Sequence, residues 1–153
     1  MAKPLATRIR NFLALGSFRF MRYYYNYFYG TDIGVGTRIS RKARIDKTNP
    51  KGVHIGEYTA ITFDSVILTH DYVNNRHRDV YIGSNCFIGC GAVIMPGVTI
   101  GDHCIIAPNS LVTRDIPSNS VVVGNPAFVA EKGIETGRYG SRANLQTEPA
   151  KAS

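Results

Sequence analysis

No stretch of the chain approaches the roughly 18 consecutive apolar residues that a membrane-spanning helix needs. Its N-terminus shows no apolar core followed by a small-residue cleavage site, so no secretory signal and a cytoplasmic location are expected. Cysteine is scarce and odd in number, at three, which argues against a framework of disulfides. Acidic residues are scarce where basic ones are dense. Residues 1–51 hold eleven Lys and Arg against Asp32 and Asp46, a charge of +9, whereas the remainder carries −2. A length of 153 residues, 44% of them hydrophobic, suits one domain with an ample core.

What the chain does have is a six-residue beat. Aliphatic residues recur at Ile33, Ile39 and Ile45, at Ile55, Ile61 and Ile67, and then at Ile82, Ile88, Ile94, Ile100, Ile106 and Val112. One such repeat cannot bury an apolar face alone, so the repeats must coil and stack into a solenoid cored by a column of isoleucines. Two residues before each beat the side chain is small: Thr37, Ala43, Thr59, Ser65, Cys86, Ala92, Val98, Cys104 and Ser110. Both positions are expected to point into a narrow interior. Three residues after the beat come Gly36, Asn85, Gly91, Gly97, His103 and Asn109, types that tolerate positive φ and so mark corners. Three sides of six make an 18-residue coil, which predicts Ile55 stacked on Ile82 and Ile100, Ile61 on Ile88 and Ile106, and Ile67 on Ile94 and Val112. Cys86 and Cys104 fall 18 residues apart at inner positions. They read as buried small hydrophobes, with a disulfide or metal pair as the alternative.

Residues 1–30 lie outside this period. Leu5 to Tyr29 carries helix-compatible spacing at Ile9, Phe12, Leu13 and Leu15 and ends in the cluster RFMRYYYNYFYG, with Arg19 and Arg22 interleaved. A helical and aromatic cap on the open end of the stack is expected. The sharper reading is a basic aromatic surface for an anionic bilayer or a polyanionic glycan. Nucleic acid is not expected as a partner, because base stacking asks for aromatics spread over a sheet face, not bunched.

The beat breaks twice, by four extra residues between Ile45 and Ile55 and by nine between Ile67 and Ile82. Solenoids place such insertions on one face, often the binding face. The larger one leaves the coil at or just after His70, in the corner register of Gly97 and Asp115.

The pattern ILTHDY, a loop, and then VYIGSNCFIGCGAVIMPGVTIGDHCIIAPNSLVTRDIPSNSVVVGNPAFV resembles the hexapeptide-repeat acetyltransferases, in the branch of the maltose, galactoside and lipopolysaccharide O-acetyltransferases. The resemblance covers roughly residues 31–130. It implies an all-β fold, a left-handed parallel β-helix, assembled as a homotrimer with active sites at subunit interfaces. It further implies acetyl-CoA as co-substrate, a saccharide acceptor and no metal. The family's catalytic histidine falls on His70 in Thr69-His70-Asp71, as the general base that takes a proton from an acceptor hydroxyl. An imidazole with an ordinary pKa of about 6.5 is suited to that work at cytosolic pH.

The same carry-over places the pantetheine arm along Gly89, Cys90, Ala107 and Pro108, and the nucleotide end near Thr113 and Arg114. Two departures stand out: Phe87 where the family has an indole, and Phe128 where it has a cation near a CoA phosphate, a charge that Arg114, Lys132 or Arg138 would have to supply. Loop 71–81 is expected to form the acceptor pocket, with Asp71, Tyr72, Arg76 and His77 as sugar contacts. N-acetylation of an amino sugar is the close alternative. More distant ones are a γ-carbonic-anhydrase-like solenoid with His54, His70 and His77 on zinc, and a non-catalytic scaffold. Residues 131–153 carry no repeat and are expected either to be disordered or to run along a neighbouring subunit.

Overall fold

The computed structural model describes residues 5–142. Helix α1 (Leu5–Tyr24) runs into a wider π turn over Tyr25–Tyr29 and stops at Gly30, whose left-handed backbone suits a residue without Cβ. The side chains of Ile9, Phe12, Leu13 and Leu15, whose spacing predicted the helix, lie outside the described ones.

Short strands then wind a left-handed parallel β-helix with three faces. The first face holds β1 (Asp32–Ile33), β4 (Val53–Ile55), β9 (Val80–Ile82) and β12 (Thr99–Ile100). The second holds β2 (Arg38–Ile39), β5 (Ala60–Ile61), β10 (Phe87–Ile88), β13 (Ile105–Ile106) and β15 (Ser120–Val123), with β16 (Phe128–Lys132) added antiparallel at its end. The third holds β3 (Arg44–Ile45), β6 (Val66–Ile67), β11 (Val93–Ile94) and β14 (Leu111–Val112).

Every stacked isoleucine expected from the beat is a register partner, including Ile55 with Ile82, Ile88 with Ile106, and Ile94 with Val112. None of the twelve beat residues is more than 4% exposed. All nine small positions two residues earlier are buried as well. The column Thr37, Thr59, Cys86, Cys104 is more than small filler. Thr37 Oγ1 accepts from Thr59 N at 3.0 Å, Thr59 Oγ1 from Cys86 N at 3.1 Å and Cys86 Sγ from Cys104 N at 3.4 Å. Each group also donates to a backbone carbonyl of the adjoining coil, so these side chains satisfy backbone groups at the corner where coils cannot pair directly. The two thiols are free. Hydrogen bonding with Cys104 and burial push the Cys86 thiol far above its ordinary value.

Corners behave as the spacing predicts: Gly36, Asn85, Gly91, Gly97, His103 and Asn109 all have positive φ, joined in the same register by Tyr58, Asp64 and Asn119. The N-terminal edge of the stack is closed locally. Tyr25 is buried against the first coil, and the Asn26 side chain accepts from Ile33 N at 3.1 Å and donates to Ile33 O at 2.9 Å, replacing the missing strand at that edge.

Residues after β16 differ from expectation. From Ile134 to Tyr139 the chain runs back over its own first corner, between the first and second faces, as a strap that touches one coil after another. Ile134 pairs with Asn119, Thr136 O accepts from His103 Nδ1 at 2.8 Å, Thr136 Oγ1 donates to Asn85 O at 2.7 Å, and Tyr139 N donates to Tyr58 O at 2.7 Å. Ile134 and Thr136 are buried there, which is why this stretch is ordered on its own chain. Residues 143–153 of the expected tail lie outside the described ones.

Candidate active site

His70 sits where the chain leaves the coil at the third corner, between the third and first faces. Its backbone does not take the positive φ of the corner residues. The nine-residue insertion instead draws it into an extended hairpin of β7 (His70–Asp71) and β8 (Arg76–His77), in which His70 pairs with His77. The expectation of a corner residue is corrected accordingly.

Asp46 holds the base of that hairpin. It follows Ile45 directly, and its Oδ2 accepts from Thr69 N at 3.0 Å and His70 N at 2.9 Å, while Oδ1 accepts from Thr48 N at 2.8 Å. Burial alone would raise the Asp46 carboxyl, but the N–H groups of Thr48, Thr69 and His70 and the Thr48 hydroxyl outweigh it and hold the group below the usual carboxylate range. Thr69 Oγ1 adds a bond to Asn49 O at 2.7 Å, so the smaller insertion of four residues serves as the platform for the larger one. Asp46 is the site residue that the sequence reading missed. Its only signal was position, one residue past the beat at the start of the first insertion.

The His70 ring is half-buried. The Tyr72 ring stands edge-on at 4.1 Å and the His77 ring at 5.1 Å, and His70 Nδ1 is buried with no hydrogen-bond partner among the described residues. An unpartnered buried nitrogen is costly in a finished protein.

Of the loop residues expected to contact a sugar, Tyr72, Arg76 and His77 are exposed; Tyr72 and His77 stand against His70, and Arg76 pairs with Asp71 one step along the hairpin. Asp71 is not available in the same way. Its carboxylate accepts from the Asn74 side chain at 2.7 Å and from the backbone of Val73 and Asn74, which closes the hairpin turn and holds its pKa low. Arg78 folds over the Gly97 corner in the next coil, where a side chain on Gly97 would collide with it.

The positions assigned to the cofactor separate into two groups. Thr113 and Arg114 follow β14, so they share the third corner with His70 and are exposed. Gly89, Cys90, Ala107 and Pro108 follow β10 and β13, which puts them on the second corner, between the second and third faces. Gly89 lies directly on the coil above: a Cβ there would stand 2.5 Å from Pro108 N. Coil stacking by itself therefore demands glycine at that position. Among the cations considered for phosphate, Arg138 lies at 4.3 Å over the Tyr58 ring at the first corner, away from both groups, while Lys132 is exposed on β16.

The remaining histidines have local partners. His54 stacks on Tyr81 at 4.5 Å on the first face, beside Asp32 and Asp79, apart from the His70–His77 pair, and His103 is bound to the strap. No three His, Cys, Asp or Glu residues cluster in a metal-holding arrangement among the described residues. No helix among them is long and apolar enough to cross a membrane.

Residues 79–114 match the family model described as bacterial transferase hexapeptide (six repeats). YvoF of Bacillus subtilis (strain 168), named as a candidate acetyltransferase, is 29% identical over 80% of this chain and 76% of its own length. The galactoside O-acetyltransferase of Lactococcus lactis subsp. lactis (strain IL1403) is 31% identical over 71% of this chain, which spans only 57% of that relative. In fold, the chain superposes with a TM-score of 0.55 and 23% identity on a hexapeptide-repeat-containing acetyltransferase of Vibrio cholerae O1 biovar eltor in complex with acetyl coenzyme A, covering 74% of this chain and 77% of that one. With its stacked six-residue beat and three-faced coil, the chain carries the bacterial transferase hexapeptide signature over residues 79–114 and is similar in sequence to these acetyltransferases.

Proposed function

We propose that the protein transfers the acetyl group of acetyl-CoA to a hydroxyl of a saccharide, with His70 as general base. The observation that carries this reading is the half-buried His70 ring with an unpartnered Nδ1, standing on a backbone pinned by Asp46. The neutral imidazole takes the proton of the acceptor hydroxyl as its oxygen bonds to the thioester carbonyl carbon. The tetrahedral adduct then expels the CoA thiolate, which receives that proton from the imidazolium. The ester forms, the thioester breaks, and free CoA leaves with the enzyme unchanged.

Tyr72, Arg76 and His77 line the acceptor side, offering an aromatic face and donors of the kind that hold sugar hydroxyls. The galactoside named in one relative supports a saccharide, and a surface-polysaccharide precursor is the class we favour. The separation of Gly89, Cys90, Ala107 and Pro108 from His70 by one full face of the coil supports a homotrimer, since the second corner of one copy can then meet the third corner of the next across a single thioester. The exposed aromatics Phe20, Tyr23, Tyr27 and Phe28, with Arg19 and Arg22 beside them, support a seat on the inner face of a membrane.

Free-thiol release from acetyl-CoA, followed against a panel of sugars and lipid-linked glycans, tests the reading. Acceptor-dependent release by wild type, lowered about 10²–10⁴ in His70→Ala, is expected, and turnover by that variant near the wild-type rate would refute the role of His70. Activity on amino sugars that rises through the titration of the amine would instead assign N-acetylation.

A further inference from the structure

A cleft of about 420 Å³ opens at the N-terminal end of the first corner, on a different corner of the coil from the hairpin of His70. Helix α1 supplies Phe18, Arg19 and Arg22, the first coil supplies Gly36 and Arg38, and the walls are the rings of Tyr58 and Tyr139. It is thus built from both ends of the sequence and exists only because the strap returns over the coils. Its volume lies in the range of small-ligand sites.

No carboxylate lines it, and among the described residues none of its three arginines has a carboxylate within ion-pair distance or a side-chain hydrogen bond. The chain has no acidic residue before Asp32. Arg38 is held in place without using its donors: its guanidinium lies 3.9 Å from the centre of the Tyr139 ring and 6.0 Å from that of Phe18, so the rings contact its face. Its N–H edge stays free to bond. Arg19 and Arg22 are three residues apart on α1 and so share one helical face. Three like charges gathered without a counter-ion repel one another, and the arrangement becomes favourable only when an anion is present.

We infer that this cleft binds a phosphate-bearing group. Three planar forks approaching from two elements suit an anion with several oxygens and more than one negative charge, which a phosphate or pyrophosphate has and a carboxylate lacks. The group can come from an anionic lipid at a bilayer surface, beside the exposed aromatics of α1, or from a soluble phosphate ester. The inference does not depend on the acetyl-transfer reading.

Titration calorimetry with inorganic pyrophosphate on the full chain is the test. Wild type is expected to bind, and Arg22→Gln and Arg38→Gln each to weaken binding about tenfold or more, as loss of a charge-assisted contact does. Arg114→Gln, altered at the third corner, is expected to bind as wild type, which separates this cleft from any cofactor phosphate site. Arg38 also packs on Tyr139, so melting temperatures are recorded and Arg22→Gln, which makes no ring contact, decides if Arg38→Gln unfolds. Sedimentation with phosphatidylglycerol vesicles and with phosphatidylcholine vesicles identifies the source: capture by the former alone, relieved by pyrophosphate and lost in Arg22→Gln, assigns a lipid headgroup, while pyrophosphate binding without vesicle capture assigns a soluble ester. Absence of pyrophosphate binding, or binding indifferent to Arg22 and Arg38, overturns the inference.

Discussion

The first and third corners of this solenoid differ in backbone as well as in cover: Gly36, Tyr58, Asn85, His103 and Asn119 all take positive φ at the first, whereas at the third Gly97 does and His70 does not, and one is closed while the other is open. At the first corner the strap from Ile134 to Tyr139 covers successive coils with hydrogen bonds to Asn119, His103, Asn85 and Tyr58. At the third corner the chain instead throws out a hairpin, and the His70 ring is left with an unpartnered nitrogen and exposed neighbours. The comparison teaches that a corner residue's type says little about its work. His103 and His70 occupy the same position in the beat, three residues after an isoleucine, and one is fastened to Thr136 while the other keeps a buried nitrogen without a partner among the described residues.

The sharpest way to break the comparison is at His70. Its replacement by Ala is expected to lower kcat/KM by about 10²–10⁴, the usual contribution of a general base, with a melting temperature near wild type. A matching loss from His103→Ala would mean that the two corners are not distinct. Next comes Gly89→Ala at the second corner, where the new methyl meets backbone of the adjoining coil and is expected to destabilise by about 1–3 kcal/mol in denaturant unfolding.

Asp46→Asn probes the platform under His70. It is expected to cost about 1–2 kcal/mol and to lower kcat more than it raises KM, since its effect reaches the reaction only through the position of His70. The pH dependence has a defined sign. The Asp46 pKa is depressed in the folded protein, so its stabilisation is complete above the ordinary carboxylate value of about 4 and is lost as pH falls through the lower folded value. The melting gap between wild type and Asp46→Asn should therefore narrow in acid; a gap constant from neutral pH down through that range would exclude the carboxylate as its cause. The smallest effect is expected at the strap. Thr136→Ala removes one hydrogen bond and should cost about 0.5–1.5 kcal/mol with kcat/KM unchanged.

Much of this fold was legible in the chain. A six-residue beat can satisfy only one arrangement of stacked coils, and the register Ile55, Ile82, Ile100 followed from counting to 18. The two insertions were legible as departures from the count, and the Thr69-His70-Asp71 motif as a resemblance. Asp46 was not, because an acidic residue one step past a beat position looks like any solvated side chain until the insertion beside it is folded. Asp71 was read as a sugar contact because composition cannot reveal that Asn74 and the turn already engage both of its oxygens.

The sequence by itself determined the coil, its inner column and its corners, because each depends on contacts repeated at one short spacing. Only the tertiary structure decided where the ends of the chain go: the strap on the first corner, the cleft it closes with Arg19, Arg22 and Arg38, and the pinning of His70 by Asp46. Those contacts join residues 15 to about a hundred positions apart, whose meeting depends on how many coils lie between them and on no local pattern.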